Sequence, residues 1–238
     1  MNKLLLCFFL TISVCFTEVS LYGNVSSNAG GMKNTVIWIY FKNYRVPKEP
    51  KVKKMVQRGK EFFPKILVAP VNTQVWFPNE DDIFHNIYSY NKVKKLDLGK
   101  YKGDGKPVEF TKRGIYPIGC EIHPWMGAYV VVLDTDFFAK GDIDGNFFLD
   151  KLKEGETILN IWGPRLKKRV KRKLLLKNGV NSIDIFIEPD EMKKSKKKRK
   201  RRKNVHRVKK PSYQYDEDED EMDDSDSDSD TPRNSRYY

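Results

Sequence analysis

Short apolar runs, bounded by polar or Gly/Pro-containing stretches, recur along the middle of the chain. Residues 35–41, Thr-Val-Ile-Trp-Ile-Tyr-Phe, are β-branched and aromatic throughout, which suits a pleated surface and predicts a strand. Further short strands are predicted over 65–69 and 73–77, joined around Pro70-Val71-Asn72, and over 85–90, 108–111, 115–118 and 128–133. Residues 155–162 form another. Residues 182–188 alternate polar and apolar positions, as an antiparallel strand does. Between them, 42–54 is rich in Lys and Pro and reads as a loop, as do 78–82 and the glycine-bearing 99–106. Asp142–Asn146 and Asn178-Gly179 are turn signals. No long 3.6-residue apolar period occurs. Many short strands separated by turns predict an all-β sandwich architecture.

Both ends break this pattern. Lys3 is followed by an apolar stretch from Leu4 to Phe16, too short to span a bilayer comfortably. That is the form of a signal peptide, so residues 1–23 are assigned to a leader, with cleavage between Thr17 and Ala29. The expectation is an exported protein, periplasmic or secreted, with cell-envelope association if the leader is kept as an anchor. At the other end, residues 193–210 hold 13 Lys/Arg and residues 216–230 hold 11 Asp/Glu. Blocks of like charge cannot bury enough surface to fold, so 191–238 is expected to be a disordered tail.

Charge narrows the partners. The chain of 238 residues carries a formal charge of +13. Residues 31–134 alone hold 18 Lys/Arg against 10 Asp/Glu. A protein docking on that segment is expected to present an acidic surface. Lys193–Lys210 would attract anionic membranes or polyanions, with no sequence-specific nucleic acid binding.

The chemistry concentrates in one stretch. Of three cysteines, Cys7 and Cys15 fall in the leader, which leaves Cys120 without a disulfide partner. Of three histidines, His206 lies in the basic tail, leaving His85 and His123. Gly119-Cys120-Glu121-Ile122-His123-Pro124-Trp125-Met126-Gly127 has the spacing C-x2-H-x2-M, and an apolar run follows at once. Two imidazoles, a thiolate and a weak thioether make the ligand set of an electron-transfer copper site. Pro124 stiffens the loop by fixing φ, and metal binding would deprotonate Cys120. Zinc could use a cysteine and two histidines, but a carboxylate or water would suit it better than Met126 as fourth ligand. The bland alternative is a buried, inert thiol beside two structural histidines.

Over about 55–134 these residues resemble the plastocyanin/azurin-type cupredoxins. The C-x2-H-x2-M loop is that of the amicyanin-like branch, and Phe77-Pro78-Asn79 with His85-Asn86 matches the first-histidine region. The resemblance implies a Greek-key cupredoxin β-sandwich holding one type 1 copper through His85, Cys120, His123 and Met126. It implies that His123 lies nearest solvent as the electron entry point, and that Asn86 holds the Cys120 loop by hydrogen bonds. Trp125 stands where smaller residues or Phe are common, as a docking patch or a cap on the site. From 137 onward a second resemblance begins. Asp142-x-Asp144-Gly145-x-Phe147-x-Leu149, then Gly155 and Trp162, is similar to the carboxypeptidase regulatory-like (transthyretin-like) sandwich, with Glu154 and Thr157 departing from its pattern. That implies a second small β-sandwich of 33–42 with 135–190, into which the copper segment is inserted. Asp142 and Asp144 read as turn residues.

Three functions compete. The first is an electron carrier between redox partners, without chemistry on a substrate. The second is a copper-handling protein without fast electron transfer. The third is a surface- or polyanion-binding protein acting through its charged tail. The ligand set favours the first, and no other histidine cluster is present to build an oxidase.

Overall fold

The computed structural model describes residues 18–49, 51–91 and 94–194. Everything regular among them is strand. The chain begins with β1 (Val19–Ser27), β2 (Gly30–Gly31) and β3 (Val36–Ile39). It continues through β4 (Lys51–Lys54), β5 (Val56–Arg58), β6 (Glu61–Phe63), β7 (Ile66–Pro70) and β8 (Thr73–Trp76). Then come β9 (His85–Tyr90), β10 (Lys95–Tyr101), β11 (Pro107–Phe110), β12 (Gly114–Gly119) and β13 (Gly127–Leu133). The last are β14 (Phe138–Lys140), β15 (Asn146–Leu152), β16 (Gly155–Trp162), β17 (Val170–Leu176) and β18 (Val180–Ile187).

The sheets stack in four layers. An outer sheet, β15-β1-β18, faces a second, β14-β3-β16-β17, across a core that includes Leu21, Val25, Ile37, Ile39, Leu159 and Ile161. The other side of that second sheet packs on β10-β9-β12-β13-β7 through Val36, Trp38, Trp162, Ile66, Val68, Val131 and Leu133. A third core, with Phe62, Phe77, Phe110, Tyr116, Val130 and Val132, lies between this sheet and β11-β8-β4. β3, β7 and the end of β13 are therefore covered on both faces, which is why they are continuous apolar runs rather than alternating ones, whereas β10 and β17 at the far edges keep an exposed face. Val36 and Trp38 point into one core while Ile37 and Ile39 point into the other, as the two-residue period requires.

The segment between β3 and β14 is a β-sandwich whose strands cross back and forth between its two sheets. A second β-sandwich encloses it in sequence, because β3 pairs with β14 and β16 on the far side of the insertion. Thr135 seals the seam by donating its hydroxyl to the Ile39 carbonyl at 2.8 Å. In the 142–146 turn, the Asp142 carboxylate accepts from the amides of Asp144 (2.9 Å) and Asn146 (2.8 Å). Those hydrogen bonds hold its pKa below the usual carboxylate range, against a smaller effect of burial.

Several boundaries differ from the sequence reading. Residues 19–23, assigned to the leader of 1–23, are the first part of β1 (19–27), the central strand between β15 and β18. Cleavage after residue 23 would delete half of it, so the fold requires any cut to fall no later than Glu18. Residues 1–17 lie outside the described residues. The loop expected over 42–54 ends in an edge strand, β4, parallel to β8, whose lysines masked it. The loop expected over 99–106 begins inside β10, which bulges between Asp97 and Lys100. The strand over 182–188 is real but parallel to β1, not antiparallel. The tail starts later than 191: Met192 forms a β-bridge with Leu166 and packs on the first core. Residues 195–238 lie outside the described residues.

Candidate metal centre

Two strand ends and one hairpin loop converge at the tip of the sandwich between β3 and β14. His85 is the first residue of β9, and Cys120 follows directly on β12. Gly119 pairs with Tyr88 of β9, which draws the start of the 120–126 loop alongside the first histidine. Gly119 is needed there, since a Cβ would lie 2.6 Å from the Tyr88 ring. Within the loop, the Met126 amide donates to the His123 carbonyl at 2.8 Å, making one tight turn of the segment that carries both side chains.

This geometry brings His85, Cys120 and His123 together, with one ligand atom of each within 4.8 Å of the others. His85 Nδ1 lies 3.0 Å from His123 Nδ1 and 3.9 Å from Cys120 Sγ. The two rings meet edge to face, with centroids 4.7 Å apart. Cys120 and Met126 belong to the same buried apolar cluster, and His85 is fully buried, whereas His123 is half-buried. Burial lowers the pKa of His123, and neighbouring His85 and Lys60 add to that. A neutral imidazole is the form that can bind a metal. Asn86 reaches the same loop: its Oδ1 accepts from the Glu121 amide at 2.8 Å, and its Nδ2 donates to Glu121 Oε2 at 3.4 Å.

One further residue belongs to the site and was not singled out in the sequence. His85 Nε2 lies 2.8 Å from Asp81 Oδ2. An ionised carboxylate accepts only, so Nε2 carries the proton and Nδ1 is left with a lone pair turned toward Cys120 and His123. Asp81 is itself fixed by the amides of Gly59 (2.6 Å) and Lys60 (2.9 Å) in the β5–β6 turn. Burial opposes its charge, but those amides and the imidazole outweigh it and hold the carboxyl below the usual range. Its four-residue spacing from His85 was the available clue.

The donor set suits copper. Soft sulfur with two imidazoles excludes magnesium and calcium, which want oxygen ligands. The nearby carboxylates are committed elsewhere, Asp81 to the back of His85 and Glu121 to Asn86 and Tyr90. That leaves the buried Met126 thioether as the remaining side-chain donor, a weak and soft one that favours copper over zinc. The residues present therefore fit one type 1 copper site.

The rim around His123 is apolar. Trp125 is 63% exposed, its ring 5.2 Å from that of His123; Ile122 in the same loop is exposed, as are Ile83 and Phe84 just before His85. Lys102 covers the Phe84 ring at 5.0 Å.

No family model matches the chain, and no curated relative does. Solved structures do align with part of it, about a third to two fifths of its length. A purple cupredoxin from Nitrosopumilus maritimus is 27% identical over 34% of this chain and 98% of its own, with a TM-score of 0.31. Amicyanin from Paracoccus versutus is 19% identical over 37% of this chain and 84% of its own, with a TM-score of 0.32. A copper-containing nitrite reductase from Thermus scotoductus is 28% identical over 41% of this chain but only a quarter of its own, 25%, with a TM-score of 0.35. The ligand assignment rests on the donors themselves.

Proposed function

We propose that this protein is an exported type 1 copper protein that carries single electrons between redox partners. The observation that carries the reading is the convergence of His85 Nδ1, His123 Nδ1 and Cys120 Sγ within 4.8 Å, beside a buried Met126. His85, Cys120, His123 and Met126 would hold the copper, which supplies a one-electron couple when bound. The protein's part is to keep that environment the same in both oxidation states. Asp81 fixes the orientation of His85, Asn86 fixes the loop, and the buried cluster around Cys120 and Met126 keeps water out.

His123 is the ligand closest to solvent, and an electron entering through it meets a partner seated on Trp125, Phe84, Ile83 and Ile122. Lys60 and Lys102 beside this patch favour an acidic partner surface. A substrate-transforming oxidase would need a further metal centre, and among the described residues one such cluster occurs. The second sandwich, of carboxypeptidase regulatory-like character, would act as a scaffold, and Lys193–Lys210 as a contact for anionic surfaces.

Stopped-flow reduction by an acidic redox protein tests this reading. The rate should fall steeply with added salt, and Trp125→Ala should slow it while leaving the absorption spectrum unchanged. A rate indifferent to both would favour copper handling without electron transfer.

A further inference from the structure

The edge of the second sandwich farthest from β14 is built of cations. Among the described residues, β17 is the last strand of its sheet and pairs with β16 alone. Arg165, Lys167 and Lys168 in the preceding loop are exposed, as are Lys171 and Lys173 on one face of β17. The same place is where the described chain leaves the fold. Leu166 is buried in the first core and bridges to Met192, Lys167 N donates to the Glu191 carbonyl at 2.9 Å, and Lys193 N donates to the Arg165 carbonyl at 2.8 Å. Lys193 and Lys194, both exposed, therefore start out alongside Arg165. Of the carboxylates near by, Glu191 is engaged by Arg172 at 3.3 Å and by the Glu188 amide at 3.0 Å, while Glu156, opposite Leu175, shares the exposed face of β17 with Lys171 and Lys173 and offsets part of their charge. The fold thus fixes the backbone that carries these cations, and it does so close to where the described chain ends.

We propose that the acidic segment Asp216–Asp230 of this same chain docks on that edge. Its 11 carboxylates in 15 positions match the cations of the loop and β17 in sign and density. The reach is sufficient: 21 residues separate Lys194 from Asp216, enough to span up to about 70 Å fully extended. β17 is seven residues long, or roughly 23 Å at strand rise. Tethering makes the encounter intramolecular, at an effective concentration of about millimolar. The edge and Lys196–Lys203 compete for the same carboxylates, since both present clustered cations. Docked, the segment shields the basic edge and tail from external polyanions, and a stronger anionic surface must displace it. Lysine also guards open sheet edges against pairing with other chains. That role alone gives no preference for Asp216–Asp230.

Two measurements on the full chain decide it, and copper plays no part in either. Zero-length carbodiimide coupling of an equal mixture of isotopically light and heavy protein should give within-chain amide bonds from 216–230 to Lys167, Lys168, Lys171 or Lys173. They should be lost at about 0.5 M salt, where the screening length is near 4 Å. Bonds found only to 196–210, only between light and heavy chains, or nowhere, would overturn the proposal. In the second measurement, deletion of 216–238 should raise affinity for phosphatidylglycerol-containing vesicles by about tenfold at low salt. That gain should shrink in the Lys168→Gln/Lys171→Gln/Lys173→Gln variant. A gain of equal size in both backgrounds, or no gain, would mean that the segment does not occupy the edge.

Discussion

At the residue scale, the site depends on which nitrogen of His85 keeps its proton. Asp81 decides this through the 2.8 Å contact to Nε2. Asp81→Asn should weaken Cu(II) binding by about 10–100-fold, the usual cost of removing such a partner. It should also raise the reduction potential, because the carboxylate makes His85 a better donor to the more highly charged ion. A chelator competition and a redox titration measure the two effects, and a variant normal in both would remove Asp81 from the site. Met126→Leu should keep copper and colour but raise the potential, since a weak axial donor tunes it; an unchanged potential would take Met126 out of the ligand set. The C-x2-H-x2-M spacing made Cys120, His123 and Met126 legible in the sequence, and scarcity of histidine pointed to His85. Asp81 was hidden because its role requires the Gly59–Lys60 turn, some twenty residues away, to arrive beside it.

At the element scale, legibility followed burial. β3, β7 and the end of β13 are covered on both faces, and their unbroken apolar runs were read with nearly correct limits. β4 and β10 are edge strands. Their pattern alternates between exposed and half-buried positions, and lysine and glycine made both look like loop. The parallel pairing of β18 with β1 was invisible for a different reason, since alternation reports a two-sided environment and not strand direction. The turn that sets the β1–β15 register is more exacting. Gly145 has φ +85, and a Cβ there would lie 2.1 Å from the Val25 carbonyl oxygen. Gly145→Ala should therefore cost about 1–3 kcal/mol. Urea unfolding would show it as a lower midpoint with unchanged slope, and an unaltered midpoint would mean the turn adapts freely.

At the scale of the whole molecule, the two sandwiches share a core rather than a linker. Trp38 and Val36 on one side meet Val131, Leu133, Ile66 and Val68 on the other, all buried. Melting should accordingly be a single cooperative transition. Copper should shift all of it upward, because a ligand that binds only the folded state stabilises whatever unfolds with its site. Two calorimetric transitions, only one of them moved by copper, would show that the shared core does not couple the sandwiches. Truncation after Lys194 should leave this transition in place. Truncation after Pro189 should lower it, because Glu191 and Met192 close the edge over Leu166. The sequence placed the tail boundary before these residues, since a charged run begins there and nothing local marks Met192 as a core residue.

The visible absorption spectrum of the copper-loaded, oxidised protein tests the central claim most directly. Cys120 thiolate bound to Cu(II) should give an intense blue, green or purple colour through charge transfer, and Cys120→Ser should abolish it while the protein stays folded. A colourless Cu(II) complex, or a preference for zinc over copper, would contradict the assignment of His85, Cys120, His123 and Met126 as a type 1 copper site.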